Sequence, residues 1–200
     1  AQEAPAGTGT EGRRVLIKGG HVLSMDPAVG DFDQADVMIN GKLIEAVGPN
    51  LDAAGAEVID AAGMIVMPGF IDTHHHQFET ALRSFLADGI LVNDGLPANA
   101  INYYEYILQK FSMVYRPQDV HINELFGSLA QLDAGVTTVM DVSQIHHSPE
   151  HSDAVIQALK DAGRRSVFGY FEGWGDKAKY PMDATRLKTT HFASDDGLLS

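Results

Sequence analysis

Three consecutive histidines, His74, His75 and His76, follow an apolar run and a Pro68-Gly69 pair. Side chains alternate between the two faces of an extended chain, so His74 and His76 point one way and His75 points the other. Two imidazoles on one face of a strand end can each direct a nitrogen at a shared divalent metal ion. The sequence therefore predicts a metal-binding pair. The alternative is a polar strand end whose histidines are satisfied by hydrogen bonds.

Several polar side chains are candidates for contact with a substrate near this pair. Gln77 follows the histidines directly, with Glu79 close behind, and His146 follows the next predicted strand, where ligand-binding loops of parallel sheets gather. For His146 and its neighbour His147 a surface loop is favoured over contact with substrate, because adjacent side chains diverge. Asp141 ends that strand. It is expected either to accept a hydrogen bond from a metal-bound histidine or to make a hydrogen bond at the strand end.

The sequence around the histidines resembles a known family. Residues 68–76, PGFIDTHHH, are similar to the PGFIDxHxH signature of the amidohydrolase superfamily, in the branch of cytosine-deaminase-like and triazine-hydrolase-like enzymes. Weaker similarity continues through 133–141 (DAGVTTVMD), 148–154 (SPEHSDA) and 192–197 (FASDDG). The first motif is specific to the family and the others support it. Together they cover nearly all of the chain after its first dozen residues.

This resemblance implies an α/β fold, a (β/α)8 TIM-type barrel flanked by a small β-sandwich. It also implies a metal-dependent hydrolase of C–N bonds other than peptide bonds, through deamination or amide hydrolysis of an N-heterocycle, cyclic urea or amide. Metal-activated hydroxide would attack the carbon, and His74 and His76 would hold one divalent ion, zinc first and iron as the alternative. The rival hypotheses are a catalytically inactive binding module and an esterase or dehalogenase on the same scaffold.

The pattern of elements predicts three segments. Residues 1–12 are small and polar and are expected to be a disordered lead. Residues 13–63 contain short apolar runs with an Asn40-Gly41 hairpin turn, and they are predicted to form strands of the β-sandwich. Residues 64–200 alternate between strand and helix patterns, which is typical of βαβ units, and are predicted to be the first part of the barrel.

Within the third segment, periodicity places the individual elements. The predicted helices are 117–134, 149–162 and 181–190, and the predicted strands are 136–142 and 166–172. In the first helix the apolar stripe is expected to face the core; its members are Leu125, Phe126, Leu129 and Leu132. The aromatic set of Tyr103, Tyr104, Tyr106, Phe111 and Tyr115 is expected to lie in the core or a subunit interface, with contact to substrate as the minority interpretation.

Chain length bears on the completeness of the site. A (β/α)8 barrel takes about 250 residues, and the residues after the β-unit suffice for roughly three βα units. A catalytic zinc site usually has three protein ligands and an open water position. We therefore expect the 200 residues to be the N-terminal part, or one piece, of a longer protein. The resemblance implies that two histidines, an aspartate and the catalytic acid/base groups follow Ser200, so the missing barrel half is required.

Composition and net charge argue against some classes of binding partner. A net charge of −13 argues against nucleic acid and against anionic membrane surfaces, and no apolar run is long enough to cross a bilayer. The chain has no cysteine, which leaves His, Asp and Glu as metal ligands. We expect a small-molecule substrate, a homo-oligomer and a cytoplasmic location. Export to the periplasm is the alternative, because Ala1-Gln2 resembles a mature N-terminus.

Overall fold

The computed structural model describes residues 10–86, 89–193 and 198–200. The chain divides into two compact units, Ala1–Pro68 and Gly69–Ser200. The sequence pattern placed the division between residues 63 and 64. Most of the predicted disordered lead, and four residues of the 192–197 motif, lie outside the described residues.

The first unit is a mixed five-stranded sheet. Strand β1 pairs antiparallel with β2 and parallel with both β4 and β5, and β2 pairs antiparallel with β3. The predicted hairpin between β2 and β3 is confirmed, but its turn is Gly41-Lys42 instead of Asn40-Gly41. Asn40 pairs with Leu43 within the strands, and Gly41 adopts a φ of 59°. The strands are β1 (Arg14–Val22), β2 (Phe32–Asn40), β3 (Leu43–Gly48), β4 (Ala56–Asp60) and β5 (Ile65–Val66).

One face of this sheet carries the apolar core of the first unit. Val22, Ala35 and Val37 are buried there, and partly buried neighbours pack against them. Val66 of β5 is one of these neighbours, so the apolar run before Pro68 serves this sheet. The same face lines an apolar cavity of about 420 Å³.

The second unit is built on a three-stranded parallel sheet in the order β6-β7-β8. Helices connect these strands as the alternating pattern predicts. The strands are β6 (Phe70–His75), β7 (Val136–Ser143) and β8 (Arg165–Tyr170), and the helices are α1 (Pro117–Asp133), α2 (Pro149–Ala162) and α3 (Ala184–His191). Between β6 and α1 lie a 3₁₀ helix at Gln77–Leu82, another at Pro97–Asn99, a π-helix at Tyr104–Phe111 and a final 3₁₀ turn at Ser112–Val114.

The predicted helix boundaries fit the structure. Pro117 and Pro149 are the first residues of α1 and α2, where a missing N–H has no cost. Gly163 ends α2 in the left-handed conformation, with a φ of 63°. No helix within residues 10–86, 89–193 and 198–200 is long and apolar enough to cross a membrane.

The predicted buried stripe of α1 is wrong. Phe126 and Leu129 are exposed, whereas Glu124, Gly127 and Ser128 are buried. The close approach of the Gln77–Leu82 turn explains this orientation, because a Cβ on Gly127 would lie 2.5 Å from the side-chain oxygen of Thr80. Only a helix face with small and hydrogen-bonding residues fits against that turn.

Candidate metal centre

The end of β6 places the histidine pair as alternation predicts. The Nε2 atoms of His74 and His76 lie 3.2 Å apart, with ring centroids separated by 5.0 Å and planes at 79°. The Nδ1 of His75 lies 3.1 Å from a carboxylate oxygen of Asp72, and His75 lines the same cavity as the pair. The two imidazoles therefore converge through the same ring nitrogen, and the middle histidine does not take part.

A backbone carbonyl fixes the orientation of His76. Its Nδ1 lies 2.7 Å from the carbonyl oxygen of Val142 in β7. A carbonyl can only accept, so Nδ1 carries the hydrogen and the Nε2 lone pair of the neutral ring is free. Burial lowers the pKa of His76, although the Val142 carbonyl partly raises it. Neutral imidazole with Nδ1 protonated is the form that binds a metal through Nε2.

The distance between the two nitrogens fits a shared ion. Zinc–nitrogen bonds of about 2.0–2.1 Å at a tetrahedral angle place two ligand nitrogens about 3.3 Å apart. The observed 3.2 Å matches this separation. Among residues 10–86, 89–193 and 198–200, no group of three or more His, Asp or Glu side chains is arranged to hold a metal. The histidines thus fit a zinc site as a pair of ligands.

The pair opens onto a cavity of about 420 Å³. Glu79 and Tyr103 also line it, and the Tyr103 hydroxyl donates a hydrogen bond of 2.6 Å to Oε1 of Glu79. Burial raises the pKa of Glu79 to about 7, with the Tyr103 hydrogen bond acting in the opposite direction. Burial also raises the pKa of Tyr103. The cavity therefore combines two metal-competent nitrogens with a carboxyl group that exchanges a proton near neutral pH.

A buried hydrogen-bond chain supports the strand behind the pair. Asp72 accepts the backbone N–H of His74 at 3.1 Å through Oδ1, and it accepts the side-chain amide of Gln131 at 2.8 Å through Oδ2. Arg164 donates in turn to the carbonyl oxygen of Gln131. The chain runs from the residue before β8, through α1, to the backbone of a candidate ligand.

The predicted substrate contact of Gln77 does not fit its position. The residue has no exposed surface. Its amide nitrogen donates to Glu124 at 3.2 Å, and its amide oxygen accepts from Ser128 at 3.0 Å and from Arg164 at 2.5 Å. All of its side-chain polar atoms are thus engaged inside the protein, because the turn after β6 directs Gln77 towards α1.

Asp141 belongs to the same buried region. Its side chain is fully buried, and it lies opposite His75 in the parallel register of β6 and β7. Burial raises its pKa to about 7, with Gln77 and Arg164 lowering it in part. Burial and the nearby Asp141 charge raise the pKa of Glu124 well above its usual range. Asp141 is therefore placed among the groups that surround Gln77 and Arg164.

The surface loop expected for His146 and His147 is wrong, because both side chains are buried. His146 is 1% exposed, its Nδ1 lies 2.9 Å from the Ser152 hydroxyl, and its ring packs edge-on against Phe168 and Tyr170. Burial lowers the pKa of His146 to about 3. This packing also argues against the predicted substrate contact of His146, because β8 covers the ring.

The role of Tyr103 was not recognisable from the aromatic pattern alone. Sequence spacing places it among five aromatic residues between 103 and 115. In the structure its hydroxyl reaches Glu79, and its ring centroid lies 6.3 Å from that of His76. The local signal that points to the cavity is Glu79, three positions after His76 on the 3₁₀ helix.

Comparisons with known proteins agree with this geometry. A model of the amidohydrolase family matches residues 65–189. The chain is 35% identical over 156 residues to a 5-methylthioadenosine/S-adenosylhomocysteine deaminase of Thermococcus kodakarensis, covering 78% of this chain and 33% of the relative. It is 28% identical over 165 residues to a 5'-deoxyadenosine deaminase of Methanosarcina acetivorans, covering 82% and 35%.

A solved structure adds a likeness in three dimensions. Atrazine chlorohydrolase from Arthrobacter aurescens, complexed with zinc, superposes with a TM-score of 0.74 at 25% sequence identity. The match covers 92% of this chain and 45% of the other. The chain thus spans about a third of the length of the two deaminases and less than half of the chlorohydrolase chain.

Proposed function

Because this chain belongs to the amidohydrolase family, we propose that the protein is a metal-dependent hydrolase of C–N bonds other than peptide bonds. The observation that carries the proposal is the 3.2 Å separation of the Nε2 atoms of His74 and His76 at the end of a parallel strand. Two imidazoles at this separation are suited to sharing one cation, and a cavity large enough for a small molecule adjoins them.

We propose that His74 and His76 hold one divalent ion, zinc first and iron as the alternative. Zinc is supported by the imidazole ligands and by the zinc complex of the structural relative. When bound, the ion supplies hydroxide at neutral pH and stabilises negative charge that develops on the substrate. A catalytic zinc usually takes three protein ligands, so the pair is proposed as part of the ligand set.

The chain's own residues prepare the site for this chemistry. The Val142 carbonyl holds the proton of His76 on Nδ1 and so keeps Nε2 available for the ion. Tyr103 donates to Oε1 of Glu79, which leaves Oε2 to carry the proton whenever the carboxyl group is neutral. The hydrogen-bond chain through Asp72 holds the backbone of His74 in place.

The proposed substrates are small, aminated N-heterocycles, with cyclic ureas or amides as the wider class. Two relatives are named as deaminases of adenosine derivatives, and one structural relative is named as a chlorohydrolase of atrazine. Deamination and dechlorination both replace a leaving group on an electron-poor ring carbon with oxygen. The chlorohydrolase makes dehalogenation the second candidate function.

We further propose the architecture in which this site works. The parallel order β6-β7-β8 with helical crossovers is consistent with the first units of a (β/α)8 barrel over residues 64–200. The mixed sheet within residues 13–63, with its apolar face, is consistent with part of a β-sandwich.

A substrate panel tests the proposed reaction. Protein loaded with Zn²⁺ is expected to release ammonia from aminated purines, pyrimidines or triazines. His74→Ala and His76→Ala are expected to reduce the rate by more than about 100-fold, because each removes a ligand. His121→Ala is the matched control and is expected to keep the rate, because His121 contacts Asp161 and does not line the cavity. Chloride release without ammonia release would favour dehalogenation, and no turnover of any substrate would favour a binding module.

A further inference from the structure

We propose that Glu79, held by Tyr103, is the residue that recognises the substrate, by accepting a hydrogen bond from a ring N–H of an aminated heterocycle. This inference deepens the proposed function and rests on it. Glu79 and Tyr103 line the same cavity as His74 and His76. A substrate ring bound at the histidine pair would therefore lie next to their polar groups.

The position of the carboxyl group supports this role. Glu79 is three residues beyond His76 on the 3₁₀ helix Gln77–Leu82, which turns its side chain back towards the cavity. Its neighbours on that helix, Gln77 and Phe78, are fully buried in the opposite direction. Thr80 also lines the cavity, but its hydroxyl donates to the Gln77 carbonyl at 2.7 Å, so Glu79 is the side chain of this turn that offers a carboxyl oxygen to a ligand there.

Tyr103 fixes the direction of this carboxyl group. Its hydroxyl donates to Oε1 at 2.6 Å, and it is the one donor to the Glu79 side chain among the described residues. One oxygen is thus occupied, and in the ionised carboxylate the other remains to accept from a ligand. A site built to pair with a substrate N–H rejects analogues that lack it, because its own buried polar atom is then left unpaired.

The other residues of the cavity wall bear on which ligands fit beside Glu79. Besides the histidines, Glu79 and Tyr103, the lining contains the apolar residues Leu82, Phe85, Leu86 and Ile107 and the hydroxyl residues Thr80 and Ser84. Arg83 also lines the cavity, and its guanidinium stacks over the ring of Phe126 with 5.4 Å to the centroid. The apolar residues of this lining can contact the faces of a flat heterocycle, while the Glu79 carboxylate accepts from an N–H at its edge.

Matched substrate pairs test the inference. Adenine and 9-methyladenine, or cytosine and 1-methylcytosine, share the reacting amino group and differ in one ring N–H. The Zn²⁺-loaded wild-type protein is expected to prefer the N–H member by at least about tenfold in kcat/KM. Glu79→Met is expected to lose this preference, because it has no oxygen acceptor. Glu79→Gln is expected to reduce it, because an amide oxygen still accepts a hydrogen bond, and Tyr103→Phe is also expected to reduce it. Glu105→Gln and Tyr104→Phe are the controls, since neither residue lines the cavity.

The Zn²⁺ affinity, measured by chelator competition, is expected to stay within about threefold of wild type in the Glu79 variants, because Glu79 is not a ligand in this scheme. Wild-type turnover with a preference that Glu79→Met leaves intact would overturn the inference while the proposed function stands. Loss of Zn²⁺ affinity in Glu79→Gln would also overturn it, by placing Glu79 in the metal site. Absence of wild-type turnover on every pair and on every substrate of the panel would overturn both.

Discussion

At the scale of single residues, the protonation of buried imidazoles determines what each histidine can do. The Val142 carbonyl keeps the His76 proton on Nδ1, which directs the free lone pair towards His74. The ring of His146 is instead buried, because aromatic side chains of β8 pack against it. One histidine is prepared for a ligand and the other contributes to the packing of the core.

The burial of His146 predicts a loss of stability in acid. Its folded pKa of about 3 lies below the usual 6.5. Below pH 6.5 the unfolded chain therefore binds a proton that the folded protein does not, so stability falls as the pH drops from 6.5 towards 3. Between pH 7 and pH 5 this loss is on the order of 2 kcal/mol of unfolding free energy. His146→Phe is expected to remove that part of the loss.

Urea unfolding at pH 7 and pH 5 measures this difference. Asp141 acts in the opposite sense, since its raised pKa of about 7 adds stability as the pH falls, so the comparison between variants is informative and the wild-type slope alone is not. The exposed His21 provides the control variant His21→Phe, which is expected to keep the wild-type pH dependence. An unchanged pH dependence in His146→Phe would contradict the assignment.

At the scale of elements, α1 connects the core to the metal site through its polar face. Gln131 on this helix joins Arg164 to Asp72, and Asp72 holds the backbone of His74. The helix packs closely against the turn after β6 because Gly127 has no side chain at the contact with Thr80. The orientation of α1 and the position of the end of β6 therefore depend on the same contacts.

Gln131→Ala tests this connection. The substitution removes the link between Arg164 and Asp72, so the backbone of His74 is less firmly held. The Zn²⁺ affinity of the protein is expected to fall about tenfold, as is typical when a group that orients a ligand is lost. Chelator competition measures the affinity. Gln157→Ala, on α2, is the control, because its amide donates to the exposed Asp161. Equal affinities in the two variants would show that the chain through Gln131 does not position the site.

At the scale of the whole molecule, local patterns predicted the elements, and contacts between distant residues determined which faces they bury. The alternation of His74 and His76, the hairpin between β2 and β3 and the boundaries of α2 each depend on a few neighbouring residues. The buried face of α1 depends on partners such as Gln77, which lies 47 positions from Glu124 and 87 from Arg164. Hydrophobic periodicity cannot report such polar partners.

The same reasoning explains which site residues the sequence missed. Tyr103 reaches Glu79 across 24 positions that contain an irregular segment, and no periodic signal spans that distance. His146 is enclosed by residues of the following strand, which the sequence did not place against it. The convergence of His74 and His76 was predictable because both histidines belong to one short strand end.

Direct observation of the imidazole nitrogens tests the central claim that His74 and His76 share a metal ion. Long-range ¹H–¹⁵N NMR spectra of the histidine rings, recorded with and without one equivalent of Zn²⁺, separate Nδ1 from Nε2 for each residue. The structure predicts that the Nε2 signals of His74 and His76 shift together, that His76 keeps its proton on Nδ1, and that His75 does not respond. Coordination by His75, or through Nδ1 of His76, would contradict it.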